Sequence, residues 1–464
     1  MRKYKYMIAQ FTFYDRSGIC SLLEAQAEKG WLLDRVTNYA WRFRRVEPQR
    51  IHYAVTYFPK ASAFDPEPSE QQRELFAFCA HSGWILAGTT AQMQIFYNMA
   101  QEPVPIETDP VLELENIHRS AKKNYLPAYF LLLALAVFQL VLQLSQLLTF
   151  PLTYLSQDTA FFNWLCQSVL LLMCSLELFG YFFWYRRAKA GAENGEFVQT
   201  RGFRKLELWL LGIVMAALVW LLCSMRPQMA VSMAIILGML FGMYAIVLGS
   251  QSLMKRRGVA SRTNRTVTWV LTGVLSVVIC GMMIPVLGYI MRLPVWAENR
   301  EVRQWEWNGH YYDIYRDEIP LRVEDLADVH SEDYSYEARE KGSFLLKEGE
   351  YRQNIWASSK YPEMAYTIYS TEIPMIYDLV IREVTTPMDV PSGAYDNGEL
   401  YYDTYIPQDA APWGANVVYR RYAGGEADNH FVLCYGSSVV VFRPNWELTP
   451  EQMAVVGEKL GDRP

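Results

Sequence analysis

Cysteine is scarce where a disulfide scaffold would need it. Of seven cysteines in 464 residues, the segment 292–464 holds one, Cys434, so no disulfide can form within it. Cys166, Cys174, Cys223 and Cys280 fall inside apolar runs, where a thiol serves as a small apolar side chain. Acidic residues are few between 125 and 291, five against 12 Lys/Arg. A basic tail is also missing, which excludes the commonest kind of nucleic-acid partner. With 51% hydrophobic and 14% aromatic residues the chain is neither disordered nor collagen-like. P-loop, GxGxxG, G-x-S-x-G and HExxH motifs are lacking. His310, His330 and His430 are scattered without metal-ligand spacing, and Cys434 has no histidine beside it in a nucleophile motif. The sequence therefore designates no catalytic residue, no metal and no cofactor, and the expectation is a non-enzymatic protein.

What the chain does have is unevenly spread. Residues 1–124 carry 15 Lys/Arg and 14 Asp/Glu, whereas residues 292–464 carry 16 and 30. Between these lie five apolar stretches of membrane-crossing length, about 126–148, 160–185, 206–225, 229–248 and 267–291. The opening MRKYKYMIAQF is too polar for a cleavable signal, which leaves the first span to act as a signal anchor. Arg119, Lys122 and Lys123 precede that span. Arg186, Arg187, Lys189, Arg201, Arg204 and Lys205 follow the second, and Lys255, Arg256, Arg257, Arg262 and Arg265 follow the fourth. These 14 cations lie on one side, against Arg226, Arg292, Arg300 and Arg303 on the other. The positive-inside rule then predicts a multi-pass plasma-membrane protein with a cytoplasmic N-terminus and an extracytoplasmic C-terminal domain.

Polar chemistry within the spans is sparse. Glu177, in LLMCSLELFGYFFWY, is the only carboxylate well inside a run, with no second acid or base expected beside it. It is either a functional group or a structural glutamate that orders the bundle. Gly238 and Gly242 form a GxxxG with Ala234 one turn earlier, which suits close helix packing within the chain or dimerisation. Pro285 predicts a kink in the last span.

Residues 1–115 read as β-α-β-β twice. A shift of 53 residues aligns Gly30-Trp31 with Gly83-Trp84 and Phe43 with Phe96. Each glycine suits the left-handed residue that ends a helix, and each tryptophan is expected in the core. Pro103 and Pro105 predict an extended linker, followed by a juxtamembrane helix (Val111 to Asn124, spanning the 116–125 connection) that leads into span one. The pattern Phe13, Asp15, Glu24, Ala27, Gly30-Trp31, Leu33, then Tyr53, Gly83-Trp84 and Ile106, Thr108, Asp109 resembles an uncharacterised family. Its members are multi-pass membrane proteins, mostly from Gram-positive bacteria, with an N-terminal domain of unknown function and genes often beside PadR-like regulators. That resemblance covers about 115 residues and implies no activity. The twofold layout also resembles the module of drug-sensing regulator domains, which hold ligands between their halves. By that likeness a cavity would be lined by Trp41, Phe43, Tyr53, Tyr57, Phe96 and Tyr97, with ordinary core packing as the alternative.

Residues 292–464 predict a strand-rich α/β domain holding 17 of the 31 tyrosines and six of the 14 tryptophans. Asn308-Gly309 and Asn397-Gly398 signal hairpins, and Phe431–Cys434 pairs with Ser438–Phe442 across Gly436. Helices are expected over 321–329, 371–382 and 450–460, the last capped by Thr449 with Gln452. The acidic, aromatic surface suits a cationic or envelope partner, or is simply solvated around an aromatic core. The expected architecture is a multi-domain α+β membrane protein. It has a duplicated N-terminal domain, a five-helix transmembrane bundle at 126–291 and a C-terminal domain at 292–464. The leading functional expectation is sensing or coupling between cytoplasm and envelope, with a protein or small ligand on the N-terminal domain. The alternatives are a transporter or permease subunit using Glu177, and an envelope hydrolase in the outer domain.

Overall fold

The computed structural model describes residues 3–8, 11–36, 40–200, 202–224, 227–291, 302–307, 310–329, 334–355, 361–387, 393–394 and 400–461. They divide into two units, one of residues 1–141 with 164–291 and one of residues 142–163 with 292–464.

The first unit opens with the expected duplication. Strand β1 (Tyr4–Ile8), helix α1 (Arg16–Glu28), β2 (Trp31–Arg35) and β3 (Ala40–Arg45) form one copy. Strand β4 (His52–Tyr57), α2 (Glu70–His81), β5 (Ile85–Thr90) and β6 (Met93–Asn98) form the other. Each makes an antiparallel sheet with its last strand in the middle, β1-β3-β2 and β4-β6-β5. The likeness extends to defects. The β2–β3 register shifts between Leu33 and Arg35, and β5–β6 shifts between Leu86 and Gly88, the same bulge 53 residues on. Gly30 and Gly83 end their helices at φ +76° and +79°.

The copies diverge at the tryptophans. Trp84 is buried and its indole N–H donates to the Val104 carbonyl at 2.8 Å. Trp31 is only half-buried, because Lys5 and Arg45 lie over its ring at 5.8 and 5.0 Å, and the cations take the place of core. The free edge of β4 is closed by α1, whose Glu24 carboxylate accepts the Tyr53 N–H at 3.2 Å.

Beyond the linker, α3 (Pro110–Ser120), a π-helical turn (Ala121–Tyr125) and α4 (Leu126–Thr149) run as one continuous 40-residue helix. At 1.5 Å per residue it is about 60 Å long, twice a bilayer's hydrocarbon thickness. Its first turns bury Leu114 and Ile117 in the core of the duplicated domain. Helices α6 (Asp158–Glu193), α7 (Arg204–Ser224), α8 (Pro227–Arg256) and α9 (Ser261–Met291) complete five helices long and apolar enough to cross a membrane. Pro285 lies within α9. A Cβ on Gly238 or Gly242 of α8 would meet nothing within 4 Å among the described residues.

In the second unit a seven-stranded antiparallel sheet has the order β14-β15-β16-β17-β11-β10-β9. The strands are β9 (Ser335–Gly342), β10 (Lys347–Asn354), β11 (Met364–Ser370), β14 (Thr404–Gln408), β15 (Val417–Ala423), β16 (Glu426–Cys434) and β17 (Ser438–Pro444). Helix α11 (Pro450–Leu460) packs on one face and α10 (Pro374–Thr385) on the other. The capping box of α11 forms as expected from Thr449 and Gln452. Helix α10 starts three residues later than expected, at Pro374, whose missing N–H and fixed φ suit the first helical position. The helix expected over 321–329 is a single 3₁₀ turn, Val323–Asp325. Side chains replace its helical ladder. The Tyr366 hydroxyl bonds both the N–H and the carbonyl of Leu321, and the Gln353 amide bonds Val323 N–H and Leu321 C=O.

Two short hairpins lie outside the large sheet. Strands β7 (Val302–Trp307) and β8 (His310–Tyr315) pair as expected, with Trp307 opposite His310. Strands β12 (Gly393–Ala394) and β13 (Leu400–Tyr401) pair as well. The turn residues 308–309 and 395–399 lie outside the described residues. The connection between the first two long apolar helices, including α5 (Pro151–Leu155), belongs to this unit. Leu152 and Leu155 pack beside Ile376 and Val380, and the Ser343 hydroxyl donates to the Leu155 carbonyl at 2.6 Å.

The helix-ending glycines differ in how much room they have. A Cβ on Gly30 would sit 2.7 Å from the Val46 carbonyl oxygen, whereas on Gly83 it would meet only the Asn98 amide at 3.2 Å. Gly30→Ala should cost about 2 kcal/mol or more, strain plus backbone clash, and Gly83→Ala closer to about 1 kcal/mol. Thermal unfolding of the purified chain measures the ordering.

Candidate functional site

The seven residues from Phe11 to Ser17, from the end of the β1 connection into the first turn of α1, carry the duplicated domain onto the long apolar helices. A tight turn, with Asp15 N–H on the Thr12 carbonyl at 3.0 Å, is locked when the Asp15 carboxylate caps α1 by accepting Gly18 N–H at 3.1 Å. That fold aims Thr12, Phe13 and Tyr14 at the long helices and leaves Phe11 on the domain's own core. Phe11 stacks on Trp41, centroids 4.7 Å apart, beneath the Arg204 guanidinium at 5.0 Å. Phe13 stacks on Tyr125 at 5.5 Å. Tyr14 is enclosed by Trp184 at 5.1 Å and Tyr181 at 5.4 Å. Gly180 makes room for it, since a Cβ there would lie 2.7 Å from the Tyr14 hydroxyl. Ser17 and Thr200 exchange backbone-to-hydroxyl bonds at 3.0 and 3.2 Å.

At the centre stands Glu177, 2% exposed. The Thr12 hydroxyl donates to its Oε1 at 2.9 Å, and the Tyr125 hydroxyl donates to Oε2 and reaches the Glu177 carbonyl at 3.2 Å. The buried Glu207 carboxyl of α7 lies beside that of Glu177. Glu177 is thus not the lone acid expected from the sequence. It joins three of the long apolar helices and the N-terminal domain, and Tyr125 reaches it from the π turn that interrupts the long first helix.

Further ties flank this centre. His118 Nδ1 lies 2.7 Å from the Tyr181 hydroxyl, and its ring stacks on Tyr185 at 4.3 Å, fastening α3 to α6. The Gln251 and Asn264 side chains, at the α8–α9 corner, donate to the Ala63 and Phe64 carbonyls, each at 3.3 Å.

The six aromatic residues expected to line one cavity are distributed differently. Trp41, Phe43, Tyr53 and Tyr57 are buried in the main core, whereas Phe96 belongs to a separate cluster with Cys79 and Trp84 under α2. Tyr97 is half-buried, 6.2 Å from Tyr53. Adjacent residues of a strand face opposite ways, so Phe96 and Tyr97 cannot share a wall. Trp41 borders a cleft of about 380 Å³ with Phe13, Met93 and Tyr125, and Tyr57 borders another of about 420 Å³.

In the C-terminal unit, burial pushes the Cys434 thiol up to about 11 and holds it protonated at neutral pH. Burial, with Arg443 and Arg421 nearby, lowers His430 to about 4, which keeps its imidazole neutral. Among the described residues no three His, Cys, Asp or Glu side chains converge with metal-binding geometry.

Removing the central carboxyl should be costly. Glu177→Ala strands the Thr12 and Tyr125 hydroxyls in a buried site and should destabilise the chain by about 2–4 kcal/mol. Glu177→Gln keeps an acceptor and should cost less than half as much. Melting of the two variants in one detergent checks the difference.

No curated protein and no solved structure matches the chain. Residues 17–130, from the first turn of α1 through the second repeat to the first turn of α4, match a family described as a protein of unknown function (DUF2812).

Proposed function

We propose that this is a multi-pass membrane protein that couples events on its duplicated N-terminal domain to its membrane helices through the joint at Glu177. The observation that carries this reading is the continuous helix Pro110–Thr149. Its first turns are core of the domain, its remainder is a candidate span, and its π turn presents Tyr125 to Glu177. A shift at the domain therefore meets no flexible linker before the bilayer. Coupling needs an element with two arrangements, and the π turn is the natural one, because its extra residue can migrate along the helix. The enclosure of Glu177 by Thr12, Tyr125 and Glu207 favours this joint over a transport site, which must open to its ion.

The orientation proposed is N-terminus in the cytoplasm and C-terminal domain outside the plasma membrane, from the bias of 14 cations against four. The connections support it. Those after the second and fourth spans tie to the duplicated domain, and the one after the first ties to the C-terminal domain, as five alternating spans require. On this reading the N-terminal domain takes a ligand or protein partner, and the acidic C-terminal domain meets envelope components.

Two measurements test the proposal. In a cysteine-free background, an impermeant maleimide applied to intact cells should label Gln157→Cys and not Asn194→Cys; the opposite pattern contradicts the orientation. Thr12→Val should raise deuterium uptake around Glu177 and in the first span while leaving the seven-stranded sheet unchanged. Unaltered uptake in those helices contradicts coupling through this joint.

A further inference from the structure

The cleft bordered by Tyr57 lies outside the Glu177 joint, between β4, the start of α2 and the flank of α3. At about 420 Å³ it is within the range of small-molecule sites and holds roughly fifteen non-hydrogen atoms at protein packing density. Its walls are mainly apolar, from Tyr57, Phe58, Leu75, Ile106 and Leu112.

Two features of the cleft are unexplained by folding alone. Thr56, 4% exposed, borders it, and its hydroxyl has no hydrogen-bond partner among the described residues. Its cross-strand neighbour Gln94, fully buried, leaves both ends of its amide unpartnered as well. Unpaired buried polar groups cost about 1–3 kcal/mol each, so a cluster of them beside a cavity marks a place for something to bind. The second feature is charge. Arg16 pairs with Glu113, Arg119 pairs with Glu115, Lys60 is bonded to Gln71, and the Asp109 carboxylate caps α3 through Val111 and Leu112 N–H. Glu107 is left over. It shares the positive charge of Arg16 with Glu113, and with Lys60 set against Asp109 at the rim an ionised Glu107 leaves the cleft with one negative charge in excess.

We propose that this cleft binds a small amphipathic cation, an ammonium seated on Glu107 with an apolar body against Leu75, Ile106 and Leu112. A charge-assisted bond to the carboxylate supplies the missing counter-ion, and the apolar walls accept the rest. Burial, opposed by Arg16, pushes Glu107 up to about 7, so its charge is present above neutral pH and lost below. The other groups facing it are Arg16 from α1, Tyr57 from β4, Cys79 from α2, Glu113 and Arg119 from α3, with Lys60 and Asp109 at the rim. Burial holds Cys79 and Tyr57 protonated well beyond neutrality, so neither titrates alongside Glu107. Cation affinity should therefore fall as pH drops from about 8 to about 6.

This site goes beyond the coupling joint, and its occupancy is read without reference to any movement of the helices. Equilibrium dialysis of the purified full-length chain against 4-phenylbutylamine, 4-phenylbutanol and 4-phenylbutyrate separates charge from apolar fit. The amine should bind about tenfold tighter than the alcohol, with the acid weakest. Glu107→Gln should reduce the amine to the affinity of the alcohol, and Leu112→Trp should weaken all three by filling the space. Thr56→Val, close in shape and expected to fold, should weaken the amine and alcohol together. Equal binding of amine and acid, full amine affinity in Glu107→Gln, or no saturable binding of any probe to a cooperatively melting protein overturns the proposal.

Discussion

A buried carboxyl group must find hydrogen-bond donors, and Glu177 finds them on elements that would otherwise be independent. Thr12 reaches it from the soluble domain, Tyr125 from the first long helix and Glu207 from the third, while Glu177 itself belongs to the second. Because each buried group left without a partner costs about 1–3 kcal/mol, these contacts reinforce one another. The aromatic packing around them, Tyr14 between Tyr181 and Trp184 and Phe13 on Tyr125, holds that centre in place. The position of the duplicated domain on its long apolar helices follows from this constraint.

The duplication shows how one local plan serves two ends. Both copies keep the same strand order, the same bulge and the same left-handed glycine, features set by backbone geometry. Their surroundings differ. The segment entering the first helix is the docking strap to the long apolar helices, whereas the second helix begins with a capping box from Ser69 and Gln72. The second copy instead meets the α3 flank, where the cleft with Glu107 forms. A ligand there would touch the same continuous helix that carries Tyr125 to the joint.

Much of this organisation is legible in the residues. Gly-Trp recurrence at 53 residues, helical periodicity and hydrophobic run length reveal the two βαββ copies and the five long apolar helices, because these depend on local pattern. The same holds for the Thr449 cap and the hairpin across Gly436. Long-range contacts leave no such trace. Glu207 lies near the polar end of its run and reads as an interfacial charge, and nothing near Thr12 announces a partner 165 residues away. The separation of Phe96 from Tyr97 is a different case, because neighbours on a strand point to opposite faces and the alternation of β6 alone divides them. The helix expected over 321–329 fails for another reason. Its periodicity is real, but Tyr366 and Gln353 from neighbouring strands claim the backbone groups that a helix would use.

The central claim is that Thr12 and Glu177 act as one unit linking the duplicated domain to the long apolar helices. A double-mutant cycle with Thr12→Val and Glu177→Ala, each of which removes the contact, read by unfolding of the full-length protein, tests it most directly. A coupling energy of about 1 kcal/mol or more is expected for a buried hydrogen bond of this kind. Additivity within a few tenths of a kcal/mol would show that the two residues act separately and would contradict the account.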